Sequence, residues 1–151
     1  MFRLSRKTVF ALEAVLDIAY NARAEPVQAR EITQRQGIPQ RYLEQVMQEL
    51  VRAGILKGVR GPRGGYHLAR ERRKVSVGDI VRIVANIENL QSSEQYQTES
   101  DLGNKVVKPL LDDLYGSMME RLDNTTLQDL CVAAEQQAVE RESRSRLDFT
   151  I

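Results

Sequence analysis

The chain has 151 residues, a single cysteine and a net charge of +1. That length gives one domain, or one domain with an added dimerisation element, and a core that needs no disulfide or metal. One cysteine excludes a disulfide scaffold within the chain, and no apolar run reaches a membrane span or forms a signal-peptide core, so the expected setting is the cytoplasm, with no membrane partner. The near-neutral total hides a division: residues 1–87 carry 16 Lys and Arg against 8 Asp and Glu, whereas residues 88–151 carry 6 against 13. The first part has the charge of a polyanion binder, and the second repels phosphate.

In chain order, residues 5–23 read as a helix that is apolar on more than one side, through Val9, Leu12, Val15, Leu16, Ile18 and Ala19. Such a helix packs on two neighbours. Arg3, Arg6 and Lys7 stand at its start, where cations oppose the helix dipole. A phosphate beside them would relieve that, which makes them candidate backbone contacts; solvated side chains are the plainer alternative. Residues 27–36 predict a short helix with Ile32 as its core residue, ended by Gly37, which accepts a left-handed cap. Pro39 is placed in the first turn of the next helix, where its missing N–H costs nothing. There Leu43, Val46, Met47 and Leu50 recur at 3,4 spacing and form one apolar face. Gln40, Arg41, Glu44, Gln45, Gln48 and Arg52 cover the other with the groups that read base edges in a major groove. A plain solvated helix face would have similar composition.

Gly54 closes that helix. Then ILKGVR and YHL read as two short strands joined by RGPRGG, a turn with three glycines and a proline. Lys57, Arg60 and Arg63 lie in this hairpin, and Arg70, Arg72, Arg73 and Lys74 follow it. A helix–turn–helix followed by a basic hairpin is a winged helix: the helix enters a major groove and the wing reaches phosphate or a minor groove. The expected class is therefore mainly α with a small β-hairpin wing.

Beyond the wing, Ser76 and Asp79 form a capping box. Val77, Ile80, Val81, Val84 and Ile87 make the apolar stripe of the helix it opens. Residues 88–104 are polar and aperiodic and read as a loop. Pro109 belongs in the first turn of the next helix, because an interior proline would break it. Val107, Leu111, Leu114, Met118 and Leu122, widened by Leu110 and Met119, form a stripe that needs a partner surface. Thr126 and Asp129 form a second capping box, and Leu127, Leu130, Cys131 and Ala134 face inward from the helix that follows. From Glu140 onward the sequence reads as a polar, frayed tail.

RYLEQ, followed by GILKGVRGPRGGYHLA, resembles the core of the Rrf2 family of bacterial winged helix–turn–helix transcription regulators, the IscR/NsrR type. The opening FRLSRKTVFALEAVLDIA and the later KVSVGDIVRIV and TLQDL segments are similar to the same family, so the likeness covers roughly residues 2–135. The resemblance implies a winged helix–turn–helix domain over residues 1–87 and a sensor-type loop over 88–104. It implies a dimerisation helix with a C-terminal helix over 105–139, and a tail over 140–151. It places Gln40, Glu44, Gln45 and Arg60 at base edges, with Arg60 in the minor groove. Arg3, Arg6, Lys7, Arg41, Tyr42, Lys57 and Arg63 are then backbone contacts, Arg63 standing where the family often has glycine. Val107, Leu111, Leu114, Met118 and Leu122 become a homodimer interface. The implied partner is double-stranded DNA carrying an imperfect palindrome, with an unknown small molecule or protein as effector.

Cluster-binding relatives place three cysteines in the loop that is here 88–104, and this loop has none. Glu94, Glu99 and Asp101 are hard oxygen donors unsuited to an iron–sulfur cluster on their own. Lys105 and Lys108 stand where a fourth ligand would fall. The expectation is a regulator without cofactor or metal, acting as a repressor. Cys131 reads as a small buried hydrophobe. His67, the only histidine, lies on a wing strand without a catalytic partner, and RGPRGG lacks the P-loop arrangement. No catalytic set can be assembled, so an enzyme is not expected. The other class in play is a winged helix used as a protein-interaction module, against which the basic wing argues.

Overall fold

The first helix, α1 (Arg6–Tyr20), is the hub on which α2, α3, α4, α6 and the hairpin converge. In the computed structural model, which describes residues 4–88 and 98–141, its Ala11, Ala14, Val15, Ile18 and Ala19 are all buried. The alanines let neighbours approach closely on several sides. Ser5 caps the helix, its hydroxyl accepting the Thr8 N–H at 3.2 Å. The helix stops at Asn21, short of the expected Arg23, and the Asn21 amide N–H and side chain both donate to the Asp17 carbonyl in its last turn, at 2.9 and 3.1 Å.

Helix α2 (Ala29–Gln36) begins later than expected. Val27 instead exchanges two backbone hydrogen bonds with Tyr66, at 3.0 and 2.8 Å, so its polar groups serve the sheet and not a helix. Gly37 then takes a left-handed φ of 66° and donates to Thr33. Pro39 is extended and stands one residue before α3 (Gln40–Arg52) as its N-cap, its carbonyl accepting from Tyr42 and Leu43. The apolar face of α3 is buried as its spacing requires: Leu43, Val46, Met47 and Leu50. Gly54, at φ 77°, turns the chain out of α3.

The wing pairs β1 (Leu56–Val59) with β2 (Gly65–Leu68) antiparallel, with Lys57 opposite His67 and Gly58 opposite Tyr66. Two glycines are obligatory there: a Cβ on Gly64 would lie 2.2 Å from the Val59 carbonyl oxygen, and one on Gly65 would lie 2.3 Å from that of Val27. A 3-10 turn (Arg72–Lys74) leads to α4 (Val77–Ile87).

Both expected capping boxes are present, Ser76 with Asp79 and Thr126 with Asp129. They stand back to back, because Val77 donates to Thr125 and Leu127 to Val75, at 2.8 and 2.9 Å. This bridge starts α4 and α6 (Leu127–Gln136) from one point.

The end of the expected 88–104 loop is already helical: residues 101–102 are helix and a π turn (Gly103–Val107) runs directly into α5 (Lys108–Asp123). Pro109 therefore has helix on both sides and does not break it. The preceding turn is widened, with the Lys108 N–H reaching the Gly103 carbonyl, and a π turn gives the proline ring room that an α turn lacks.

The second half of α5 packs within the protomer. Val77, Val81 and Met119 make a small second core, flanked by Leu12, Tyr115, Met118, Leu122 and Leu130. Arg82 and Asp123 lock α4 to α5 with two hydrogen bonds of 2.5 and 2.6 Å. That contact holds the Asp123 carboxyl below the usual carboxylate range and raises the Arg82 guanidinium.

The chain past α6 is tied down further than expected. The Tyr20 hydroxyl donates to the Val139 carbonyl, and Arg141 pairs with Glu135 and stacks over the Tyr20 ring, 4.6 Å from its centre. Arg141 thus belongs to the folded body, while residues 142–151, Arg3 and most of the 88–104 loop lie outside the described residues. No helix among the described residues is long and apolar enough to cross a membrane.

Candidate nucleic-acid interface

Amphipathic spacing leaves one face of α3 free, and every residue expected to read bases from it is exposed: Gln40, Glu44 and Gln45, with Arg41 and Tyr42 beside them. Gln40 donates its side-chain amide to Glu44 at 3.1 Å. This i,i+4 pair favours one direction of the carboxylate by a few tenths of a kcal/mol.

The start of α1 joins this face. Phe10 and Tyr42 pack with ring centres 6.1 Å apart. Lys7 lies over the Tyr42 ring at 5.5 Å, and Arg6 over Phe10 at 6.0 Å. Residues more than thirty positions apart thus form one basic, aromatic edge. Cation–π contact keeps the charged heads ordered at modest cost to their hydration.

The wing's basic groups separate into different duties. Lys57 is exposed on β1. Arg60 borders a groove between the hairpin, Ala29 and Val51, whereas Arg63 lines a cleft against α2. Three of the basic residues after the wing have partners within the chain. Arg70 donates to the carbonyls of Gly54 and Ala53 at 3.2 and 3.3 Å, closing the C-terminus of α3, where a cation suits the dipole. Arg72 reaches the Ala19 carbonyl, and Arg73 pairs with Glu71.

Sequence reasoning missed the brace beneath the helix–turn–helix. The Asp17 side chain is fully buried, and it accepts from Arg35 at 2.9 and 2.7 Å and from Gln36 at 2.8 Å. The available signal was an acid in the middle of an otherwise apolar helix, since such a charge is tolerated only when paired. A second ion pair, Arg23 with Glu31 at 2.7 Å, ties the chain between α1 and α2 to α2. Burial works against the charged Glu31, but the Gln28 N–H, Arg23 and Arg35 outweigh it and lower its pKa.

The expected interface residues of α5 divide. Met118 and Leu122 are half-buried against the second core of the protomer. Leu102, Val106, Val107, Leu110 and Leu114 are 45–75 % exposed and form one stripe along the first half of the helical run. Leu111 is half-buried beside them.

Two groups with reactive or metal-binding potential stay apart. Cys131 is buried on α6, and burial pushes its thiol above the ordinary range against the opposing influence of Arg72 and Arg141. His67 is on β2. Among the described residues no cluster of three or more His, Cys, Asp or Glu could hold a metal ion.

Comparison with known proteins gives one consistent picture. A family model described as Rrf2, iron-dependent transcriptional regulator, matches residues 4–133. The HTH-type transcriptional regulator IscR of Vibrio vulnificus is 30 % identical over 152 residues, covering 99 % of this chain and 88 % of its own. Among solved structures, IscR of T. potens is 33 % identical with a TM-score of 0.73, covering 95 % of this chain and 96 % of its own. CymR, the global cysteine regulator of B. subtilis, is 28 % identical with a TM-score of 0.72, covering 88 % and 98 %. The iron in the family description can be tested against the donors in this chain. Iron–sulfur clusters are held mainly by thiolates. The single thiol here is buried on α6, and the single histidine is on the wing. These residues do not fit a cluster.

Proposed function

Because the chain belongs to the Rrf2 family of transcriptional regulators, we propose that it is a homodimeric, sequence-specific DNA-binding repressor that works without an iron–sulfur cluster. The observation that carries this reading is the joint edge of Arg6, Lys7, Phe10 and Tyr42 beside the outer face of α3. Residues 1–87 form the DNA-binding part, 105–139 the dimerisation part, and 88–104 the loop on which a small molecule or partner protein acts. With α3 in a major groove, Gln45 pairs with adenine and Glu44 accepts from cytosine, while Arg6, Lys7, Arg41, Tyr42 and Lys57 hold phosphates. Anisotropy titration against random duplex is the first test. Weak binding with steep salt dependence is expected, and salt-insensitive or absent binding would favour a protein-interaction module.

Glu44 repels phosphate and accepts from few base edges, so it acts as a filter against wrong sites. Glu44→Ala is expected to broaden the sequences selected from a random pool more than it weakens binding to the best one. A consensus unchanged by the substitution would remove Glu44 from the base-reading set.

Arg60 is proposed as the minor-groove residue of the wing. Arg60→Ala is expected to weaken operator binding by about 1–3 kcal/mol, the size of a good base contact. Random duplex should lose much less. An equal loss on both would make Arg60 a phosphate contact.

The cluster-free reading has its own signature. Protein purified without oxygen should be colourless, with no stoichiometric iron or sulfide, and its DNA affinity should not respond to oxygen or nitric oxide. Brown protein with acid-labile sulfide would overturn it.

A further inference from the structure

The separation of Arg60 from Arg63 exposes a cleft that DNA reading by α3 does not use. It has a volume of about 640 Å³ and lies between α2, the segment before it and the wing. Arg23, Arg30, Arg35 and Arg63 line it, against Glu25 and Glu31, with the Gln28 and Gln34 amides between them. The volume is that of a small-molecule site, but Pro26 is the one apolar residue lining it and charged or amide groups head the rest, which suits a hydrophilic occupant.

Charge distribution defines its chemistry. Arg35 is held by Asp17 and lies 3.8 Å from Glu31, while Arg23 is held by Glu31. These ion pairs build a fixed wall. Arg30 on α2 and Arg63 on the wing are exposed and make no ion pair among the described residues. Two uncommitted guanidinium groups therefore face one cleft from different elements, each offering a planar fork of donors that suits an oxyanion.

We propose that this cleft binds an oxyanion, a phosphate or carboxylate group, between Arg30 of α2 and Arg63 of the wing. Its source is either a free small anion or a phosphate of bound DNA. A group held there ties the wing to α2. A free anion would draw Arg63 from the duplex and weaken DNA binding, and by linkage DNA would weaken anion binding equally.

The probe is inorganic phosphate, titrated calorimetrically into the full chain at constant ionic strength with chloride as the reference. Saturable binding of one phosphate per protomer is expected if the source is a free anion. Arg30→Gln and Arg63→Gln should each weaken it about tenfold, the effect of one charge-assisted hydrogen bond, and Arg60→Gln should not. If the source is DNA, phosphate will not saturate, but Arg30→Gln will flatten the salt dependence of duplex binding by about 0.9 per lost contact. No phosphate binding together with a wild-type salt slope in Arg30→Gln would overturn the proposal. Thermal melts check that the variant is folded, which is expected because Arg30 is exposed and holds no ion pair among the described residues. The inference rests on the DNA reading only in its second arm: wild-type protein that binds no duplex would defeat that reading while leaving the phosphate arm to decide this one.

Discussion

Asp17→Ala is expected to destabilise the protein by about 3–5 kcal/mol, the cost of breaking a buried ion pair by removing one partner. The carboxylate has no exposed surface and receives two hydrogen bonds from Arg35 and one from Gln36. Its loss removes the acceptor shared by the Arg35 guanidinium and the Gln36 amide at the junction of α1 and α2, and leaves Glu31, 3.8 Å away, as a weaker partner of Arg35. Arg35 keeps 20 % of its side-chain surface exposed, so it recovers some hydration, and the lower part of the range is favoured. Urea unfolding measures the loss directly, and a change under about 1 kcal/mol would reduce the brace to an ordinary surface pair. DNA affinity should fall as well, because the orientation of α2 sets that of α3. Replacing Asp17 and Arg35 together by leucine and methionine should recover most of the stability, since a packed apolar pair often replaces a buried ion pair without loss.

Acid should act on the same joint through Glu31. Its pKa in the folded protein lies below the ordinary value. The stability it contributes is therefore fully present above its unfolded pKa and lost as pH falls through the folded one. The sign is that of acid denaturation.

The recognition helix was legible because every signal for it is local. Gly37 and Gly54 punctuate it, and Leu43, Val46, Met47 and Leu50 keep one period throughout. The capping boxes at Ser76 and Thr126 were legible for the same reason. What the sequence could not show depends on partners distant along the chain. Val27 has the composition of a helix start, but Tyr66 claims its backbone. Arg70 and Arg72 look like free cations of a basic run, yet the end of α3 and the Ala19 carbonyl occupy them. Pro109 has the local signature of a helix start, and only the widened turn before it lets the helix begin earlier. The stripe of α5 gave a face and not its covering: Met118 and Leu122 pack on the second core, while Leu110 and Leu114 belong to neither core of the described residues.

That division makes Leu114→Asp the sharpest test of assembly. Leu114 is 45 % exposed in the isolated protomer and belongs to neither buried core, so an aspartate there costs the protomer little and the variant should fold. In a twofold assembly the same aspartate would be desolvated against a copy of the stripe, without a partner. The distribution of charge along the helix favours antiparallel pairing of the two copies. Lys105 and Lys108 stand toward its start and Asp112 and Asp113 a turn later, so antiparallel helices bring basic residues of one beside acidic residues of the other, and Leu102 toward Leu114. In such an assembly two α3 helices would present to one face of DNA, about one helical turn or a multiple of roughly 34 Å apart, which would call for an imperfect palindrome. Sedimentation should show a dimer for the wild type and a folded monomer for Leu114→Asp. Operator affinity should drop about 10²–10⁴-fold, the factor that linking two half-site contacts supplies, while single half-site binding changes little. Met119→Asp is the contrasting variant: Met119 is buried within the protomer, so the same charge there should unfold the chain and not merely separate two copies. A Leu114→Asp protein that is folded, dimeric and fully active on the palindrome would place the interface on another surface.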